Sequence, residues 1–259
     1  MNIPINEFRP VSLAEMESIR LMDRIDSKFV APVSLLPALL DGMKPLFLVQ
    51  SIDGKRIADY ETQYFDTPAL DFYLMHHNGK LNRQKIRIRT YRDSGLSFLE
   101  VKNKSNKGRT SKKRIQVATP SVRAVDELGE GLDFLRQHAL FEASSLVPVL
   151  ENSFQRMTFV NHRATERITI DVGLTFCSNG LEVEPDGFVK DKLMIIELKQ
   201  DGRERSEFRK LLTDMRIQPS SFSKYCMGIY LARKEVKVNR FKRKSHLINK
   251  LINKEYDTV

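Results

Sequence analysis

From Asp59 to Lys199 the chain repeatedly alternates apolar and charged residues at a spacing of two, and this limits its fold more than any other feature. Residues i, i+2 and i+4 of a strand share one face. Lys85, Arg87, Arg89 and Tyr91 therefore point one way, and Ile86, Ile88 and Thr90 the other. Phe98, Glu100, Lys102 and Lys104 oppose Leu99 and Val101; Lys112, Arg114 and Gln116 oppose Ile115 and Val117. Later, Arg167, Thr169 and Asp171 oppose Ile168 and Ile170, while Glu197 and Lys199 oppose Ile196 and Leu198. Five strands thus combine an apolar face with a face of mixed charge. The simplest expectation is an antiparallel sheet with its polar face in water. Yet successive Arg and Lys on one face repel one another unless an anion lies among them. Turned inward, that face would line a basic tunnel.

The strands are expected at Tyr60–Asp66, Lys85–Tyr91, Ser97–Lys104, Lys112–Ala118, Val149–Asn161, Thr165–Phe176 and Lys192–Lys199. Asp93-Ser94-Gly95 and Asn106-Lys107-Gly108 supply turn chemistry. Ser12 with Glu15 three residues on reads as a capping box opening a short helix. Further helices are expected at Val33–Leu40, Val125–Ala139, Glu204–Met215 and Phe222–Arg233, with His76 and His77 in a loop or turn ending at Gly79. No repeat or linker divides the chain. A single α+β domain over residues 1–243 is expected, followed by a basic C-terminal tail, 244–259, as a partly ordered extension.

Lys and Arg number 43 against 33 Asp and Glu, a net charge of +10, which favours an anionic partner. Two cysteines, Cys177 and Cys226, do not make a disulfide framework or a zinc site. No secretory leader or membrane-spanning run is visible, so a cytoplasmic setting is expected. Aromatic content of 8% without Trp offers no stacking platform, so no specific nucleic-acid partner is expected. On the charged faces, Arg87 and Arg89 can fork onto phosphate oxygens. Lys85, Lys102, Lys104 and Lys199 supply point charges along a phosphate chain, with Arg114 on the same side of its strand. Glu197, with Glu100, can hold Mg²⁺ or Mn²⁺. Ser223 near a helix start, with Lys224 beside it, suits anion binding. Tyr64 and Phe65 read as core residues, although a Tyr64 turned inward could stack on a nucleobase. The run Arg240-Phe241-Lys242-Arg243-Lys244 suits an acidic lipid or a phosphate chain leaving the tunnel.

Seven motifs occur in order: Arg24-x-Asp26-x-Lys28-Phe29, Tyr64-Phe65-Asp66-Thr67, Lys85-Ile86-Arg87-Ile88-Arg89, Phe98-Leu99-Glu100-Val101-Lys102, Glu166-Arg167-Ile168-Thr169-Ile170-Asp171, Ile196-Glu197-Leu198-Lys199 and Ser221-Phe222-Ser223-Lys224-Tyr225. Together, over about residues 8–243, the chain resembles the VTC (vacuolar transporter chaperone) domain, the polyphosphate polymerase module of the triphosphate tunnel, or CYTH-like, superfamily. The resemblance implies an antiparallel β-barrel tunnel with helices packed outside. It also implies a divalent metal, and transfer of the γ-phosphate of ATP to growing polyphosphate. Lys28, Arg87, Arg89, Lys102, Arg167, Ser223 and Lys224 would be phosphate ligands and Glu197 the metal ligand, with Arg156 and Lys104 lining the tunnel. A membrane protein would be a plausible partner for receiving the product. There are departures: Ser221 stands where the eukaryotic catalytic form carries Lys, and an Arg of that form is missing near His76 and His77. Regulatory members of the family make a non-catalytic polyphosphate or nucleotide sensor the alternative. A rival motif is Pro185-Asp186 with Glu197-Leu198-Lys199, the PD-(D/E)xK pattern of metal-dependent nucleases.

Overall fold

A computed structural model describes residues 3–18, 24–107, 109–178, 181–183, 192–202, 205–233 and 235–253. The strands are β1 (Pro10–Ser12), β2 (Arg24–Pro32), β3 (Phe47–Ser51), β4 (Ala58–Asp66), β5 (Arg83–Tyr91), β6 (Leu96–Lys104), β7 (Thr110–Val117), β8 (Val147–Asn161), β9 (Glu166–Ser178), β10 (Leu181–Glu182) and β11 (Leu193–Asp201). The helices are α1 (Leu13–Ser18), α2 (Leu36–Met43), α3 (Asp71–His77), α4 (Glu130–His138), α5 (Glu207–Asp214), α6 (Lys224–Ala232) and α7 (Asn239–Asn253). All described strands belong to one sheet, ordered β2-β11-β9-β8-β4-β5-β6-β7, with β1, β3 and β10 branching from that path. Every pairing is antiparallel except β1 with β3. The fold is α+β, as the alternation required. Among the described residues no helix is long and apolar enough to cross a membrane.

The apolar face points outward, under helices. Ile86, Ile88, Leu99 and Val101 pack in one core with Leu128, Leu135, Tyr225 and Ile229. Ile168, Ile170, Ile196 and Leu198 pack in another with Leu39, Leu40, Phe208 and Leu212. Each fully buried aliphatic side chain contributes about 1.5–3 kcal/mol, so these two cores decide which face turns inward. Register shifts at Tyr64/Phe65 and at Ser153/Gln155 mark bulges, which bend strands and add twist. The sheet curls far enough for its two ends to face each other: Lys28 of β2 and Lys102 of β6 border one cavity.

The curl stops short of the closed barrel that the resemblance implies. Among the described residues β2 and β7 do not pair. The free edge of β2 is covered instead by the segment before α6, where Pro219 faces Phe29 and Ser220 N donates to Lys28 O at 2.7 Å. Proline has no N–H with which to continue a ladder.

The expected capping box is present: Glu15 accepts from Ser12 N at 2.8 Å, and Ser12 Oγ accepts from Glu15 N at 3.3 Å. Two local expectations differ. The helix expected over Val125–Ala139 breaks at Gly129, whose φ of 55° separates a 3-10 turn (Val125–Leu128) from α4. His76 and His77 end a helix, α3, because buried Asp66 accepts N–H bonds from Thr67, Phe72 and Tyr73 and so holds its first turn. The tail also differs from its expectation, since α7 crosses position 243 and buries Phe241 and Ile248.

Candidate functional site

β5 and β6 place one cationic wall. Their register sets Arg87 opposite Glu100, Lys85 opposite Lys102 and Arg89 opposite Phe98. Glu100 is 1% exposed; it accepts from Arg87 Nε at 2.8 Å and Nη2 at 2.7 Å, and pairs with Lys112 of β7. Burial would raise its pKa, but Arg87, Arg89 and Lys112 outweigh that and hold the carboxyl at about 2. In return, Glu100 keeps Arg87 charged against the cost of its own burial. Among the described residues no carboxylate forms an ion pair with Arg89, although Glu100 lies near enough to favour its charge. Arg89 Nε is buried without a protein partner, and its guanidinium lies 5.5 Å from the Tyr60 ring. Burial, then Arg87 and Arg156, lower its pKa to about 10. A guanidinium with an unmatched donor among like charges has the chemistry to receive an anion.

The facing wall comes from β2, β11, β9 and β8. Lys28, Glu197, Thr169 and Thr158 lie in one cross-strand row, and Asp26, Lys199 and Arg167 in the next. Asp171 receives Arg156 through Nε at 2.6 Å and Nη2 at 2.8 Å, and also binds Lys224. Burial pushes Asp171 up, but these two cations hold it well below the usual carboxylate range. Glu197 lies 3.7 Å from Lys199 Nζ. Burial opposes its ionisation, yet Lys28, Lys199, Arg156 and Lys102 hold it at about 2. It is an ionised carboxylate inside a positive field.

The start of α6 joins the walls. Ser223 caps the helix, its Oγ accepting from Cys226 N at 3.2 Å and from Lys85 Nζ at 2.9 Å. Lys28 Nζ donates to Phe222 O at 3.2 Å. Burial lowers Lys85 and Lys224 to about 8, with neighbouring cations contributing to both. Tyr225 anchors the helix below by donating its hydroxyl to Asp66.

Two adjoining cavities lie along this groove. The first, about 540 Å³, is lined by Tyr60, Tyr91, Lys112, Arg114, Arg156, Arg167 and Lys199. The second, about 660 Å³, is lined by Asp26, Lys28, Lys85, Lys102, Lys104 and Ser223, with His76, Arg83, Arg240 and Lys244. They meet at directly opposed pairs: Asp26 with Lys199, and Lys102 with Lys112.

Of the residues singled out in the sequence, Arg114, Arg156, Arg167 and Lys199 line the first cavity and Lys28, Lys85, Lys102, Lys104 and Ser223 the second; Arg87, Arg89, Glu197 and Lys224 line neither, and stand beside these residues on the same strands or at the same helix start. Glu100 stands beside them as the ion-pair partner of Arg87 and Lys112. Tyr64 is 3% exposed and packs on Tyr225 at 5.2 Å, so it belongs to the core. Tyr60 and Tyr91 are the aromatic residues at the first cavity. The rival nuclease motif depends on Asp186, outside the described residues.

Sequence reasoning did not assign Lys112 and Asp171 their pairing roles, although both lay on the charged faces. It also passed over Thr62 and Asn152, whose polar atoms are buried without protein partners. No local pattern marks those two. They become neighbours only through the β4–β8 register.

A family model described as the VTC domain matches residues 23–233. No curated protein matches the chain. Among solved structures, a candidate adenylyl cyclase from Hippeastrum, described as having a dominant triphosphatase activity, is similar with a TM-score of 0.50 and 17% identity, over 83% of this chain and 99% of that one. A candidate adenylate cyclase from Bacillus halodurans gives 0.49 and 16%, over 85% and 100%. Another, from Vibrio parahaemolyticus, gives 0.47 and 13%, over 80% and 99%. At 17% identity the likeness to the Hippeastrum protein is one of fold.

Proposed function

The chain belongs to the VTC domain family, and from that premise we propose that it is a polyphosphate polymerase, moving the γ-phosphate of ATP onto a growing polyphosphate chain. The observation that carries this reading is the length of the cationic lining. Two adjoining cavities hold Arg114, Arg156 and Arg167 at one end and Lys28, Lys85, Lys102 and Lys104 at the other. That is more charge than one triphosphate needs, and it suits a string of phosphates. The Tyr60–Tyr91 end, with rings 5.0 Å apart and Arg114 nearby, suits a nucleobase. The serine- and lysine-lined end suits bare chain.

In the transfer, a terminal oxygen of the chain attacks the γ-phosphorus. A new P–O bond forms as the bond to the β–γ bridging oxygen breaks, and ADP leaves with that electron pair. The attacking oxygen is already ionised at neutral pH, its second pKa being about 6, so no general base is required. What the residues must do is position and neutralise. Arg87 is fixed by Glu100, Arg156 and Lys224 by Asp171, and Lys85 by Ser223, so the cations are preorganised. The two carboxylates most deeply placed in the groove, Glu100 and Asp171, hold cations and are poor candidates for activating water.

A divalent metal fits Glu197, ionised and facing Lys28, with Asp26 one row away. Among the described residues no three acidic, His or Cys groups cluster into a protein cage. The fit is therefore to an ion of the Mg²⁺ or Mn²⁺ type that takes one or two carboxylates and shares substrate phosphates. When bound, it would offset charge on the transferring and leaving phosphates.

The test is to incubate pure protein with ATP and either Mn²⁺ or Mg²⁺, with and without a short polyphosphate primer, and to resolve products on a gel. Chain growth that Arg89→Ala lowers by about 10²–10³-fold is expected. Release of free phosphate alone would make the protein a hydrolase. Binding without turnover under every condition would make it a sensor.

A further inference from the structure

α7 begins beyond the last residue of the family match, yet it contributes two cations to the second cavity. Lys244 Nζ donates to Ser221 Oγ at 2.6 Å, beside the segment that leads into α6. Arg240 crosses the end of α3: its backbone N–H donates to His77 Nε2, and its Nη1 to His77 O, each at 3.3 Å. The helix is fixed there. Phe241 is buried against Tyr73 and His77, at centroid distances of 5.7 and 5.6 Å, and Ile248 is 1% exposed. Gly79, at φ +71°, leaves the space the Arg240 guanidinium occupies, because a Cβ there would collide with it.

The two side chains face Arg83, Lys85, Lys104 and Lys28 across the cavity, and among the described residues no carboxylate except Asp26 lines it. Such a ring of cations is self-repelling without an anion. The same field shows in His76, whose imidazole has a buried Nε2 without a protein partner. It is lowered to about 2 by burial, then by Lys85, Arg83 and Lys104. Lys244 is likewise lowered by burial, against a background of Arg240 and Lys28. By contrast, Lys242 and Arg243 on the same helix are exposed and line neither cavity.

We propose that α7 builds an outer polyphosphate-binding station at this mouth, in which Arg240 and Lys244 hold the length of chain that has passed Lys85 and Lys102. The station rests on the polymerase reading for the identity of its ligand, a linear inorganic polyphosphate. It makes retention of the product depend on chain length. A short phosphate oligomer is satisfied by the inner cations, and a long one gains the α7 contacts as well.

Calorimetric titration of the full chain with tripolyphosphate and with long-chain polyphosphate tests this, using Arg240→Ser/Lys244→Ser and, as a charge-matched control, Lys242→Ser/Arg243→Ser. Long-chain affinity should fall about tenfold or more in the first variant and stay within about twofold in the second. Tripolyphosphate affinity should change by less than about twofold in both. Lys244→Arg should retain long-chain affinity, and thermal melting reports whether each variant folds. Equal losses in the two double variants, no loss in either, or an equal loss for tripolyphosphate would overturn the station. So would single-stranded DNA bound as tightly and weakened as much, or Lys244→Arg behaving like the serine variant. The polymerase reading fails differently: wild type would bind neither phosphate ligand, or Arg89→Ala would leave tripolyphosphate binding unchanged.

Discussion

Glu100 and Asp171 set the residue-scale character of the groove, because each buried carboxylate fixes two cations. Removing one partner of a buried pair leaves charge uncompensated, at a cost of about 3–5 kcal/mol. Glu100→Ala should therefore lower stability by about that amount in urea titrations, since Arg87 and Lys112 would be left adjacent. Tripolyphosphate should stabilise this variant more than wild type, because an anion can take the place of the carboxylate. The acid limb follows from the same groups. Glu100 and Glu197 titrate at about 2 when folded, against an ordinary value of 4.5. Between those values the unfolded chain binds more protons, so stability rises with pH there and is complete above the upper one. Acidification should remove it progressively across that window. Glu197→Gln should reduce this acid sensitivity, as measured by the pH dependence of the urea midpoint.

At the scale of elements, α6 is the piece that couples packing to the site. Its first turn presents Ser223 and Lys224 to the groove, while Tyr225 and Ile229 are buried beneath it. Gly228 lets the helix approach β8 and β9 closely, and a Cβ there would stand 2.7 Å from Phe176 Cδ1 and nearer still to Leu150. Backbone strain is not the issue, because this glycine is helical; the constraint is overpacking. Gly228→Ala should cost about 1–3 kcal/mol and lower the melting temperature. It should also weaken tripolyphosphate binding, by moving Ser223 and Lys224 with the helix. Preserved binding in a destabilised protein would show that α6 is not the element that positions these groups.

At the scale of the whole molecule, the groove concentrates positive charge that the free protein tolerates only in part. Lys85 and Lys224 are lowered to about 8 from an ordinary 10.5. Between those values the unfolded chain holds more protons, so these two lysines make the free protein more stable as pH rises through that range. A bound polyanion favours their charged forms and reverses the shift. Tripolyphosphate binding at a pH just above 8 should therefore take up protons. Calorimetry in buffers of different ionisation enthalpy would reveal this as a heat difference, and affinity should decline as pH climbs further. Added salt should weaken binding as well, though less than at an open surface, because the groove is partly shielded from solvent.

The alternation of residues was enough to assign β4 to β9 and β11 and the face of them that carries charge, but not β1, β2, β3 or β10, so that β2, which carries Lys28, was missed. The assigned strands were legible because side-chain direction in a strand is a local property with a period of two. The ordered motifs identified the family on the same basis, from residues read in sequence. Tertiary structure alone decided how those charges are used. Only the register of β5 with β6 and β6 with β7 makes Glu100 the partner of Arg87 and Lys112. Only in the folded chain does the segment at Pro219 and Ser220 come to lie along the edge of β2. Only the packing of Phe241 and Ile248 brings α7, expected as a tail, to the mouth of the groove. Each outcome depends on partners 12 or more residues apart in the chain, brought together by the burial of two apolar cores. The chain's period determines which way a side chain points; the curl of the sheet determines what it meets.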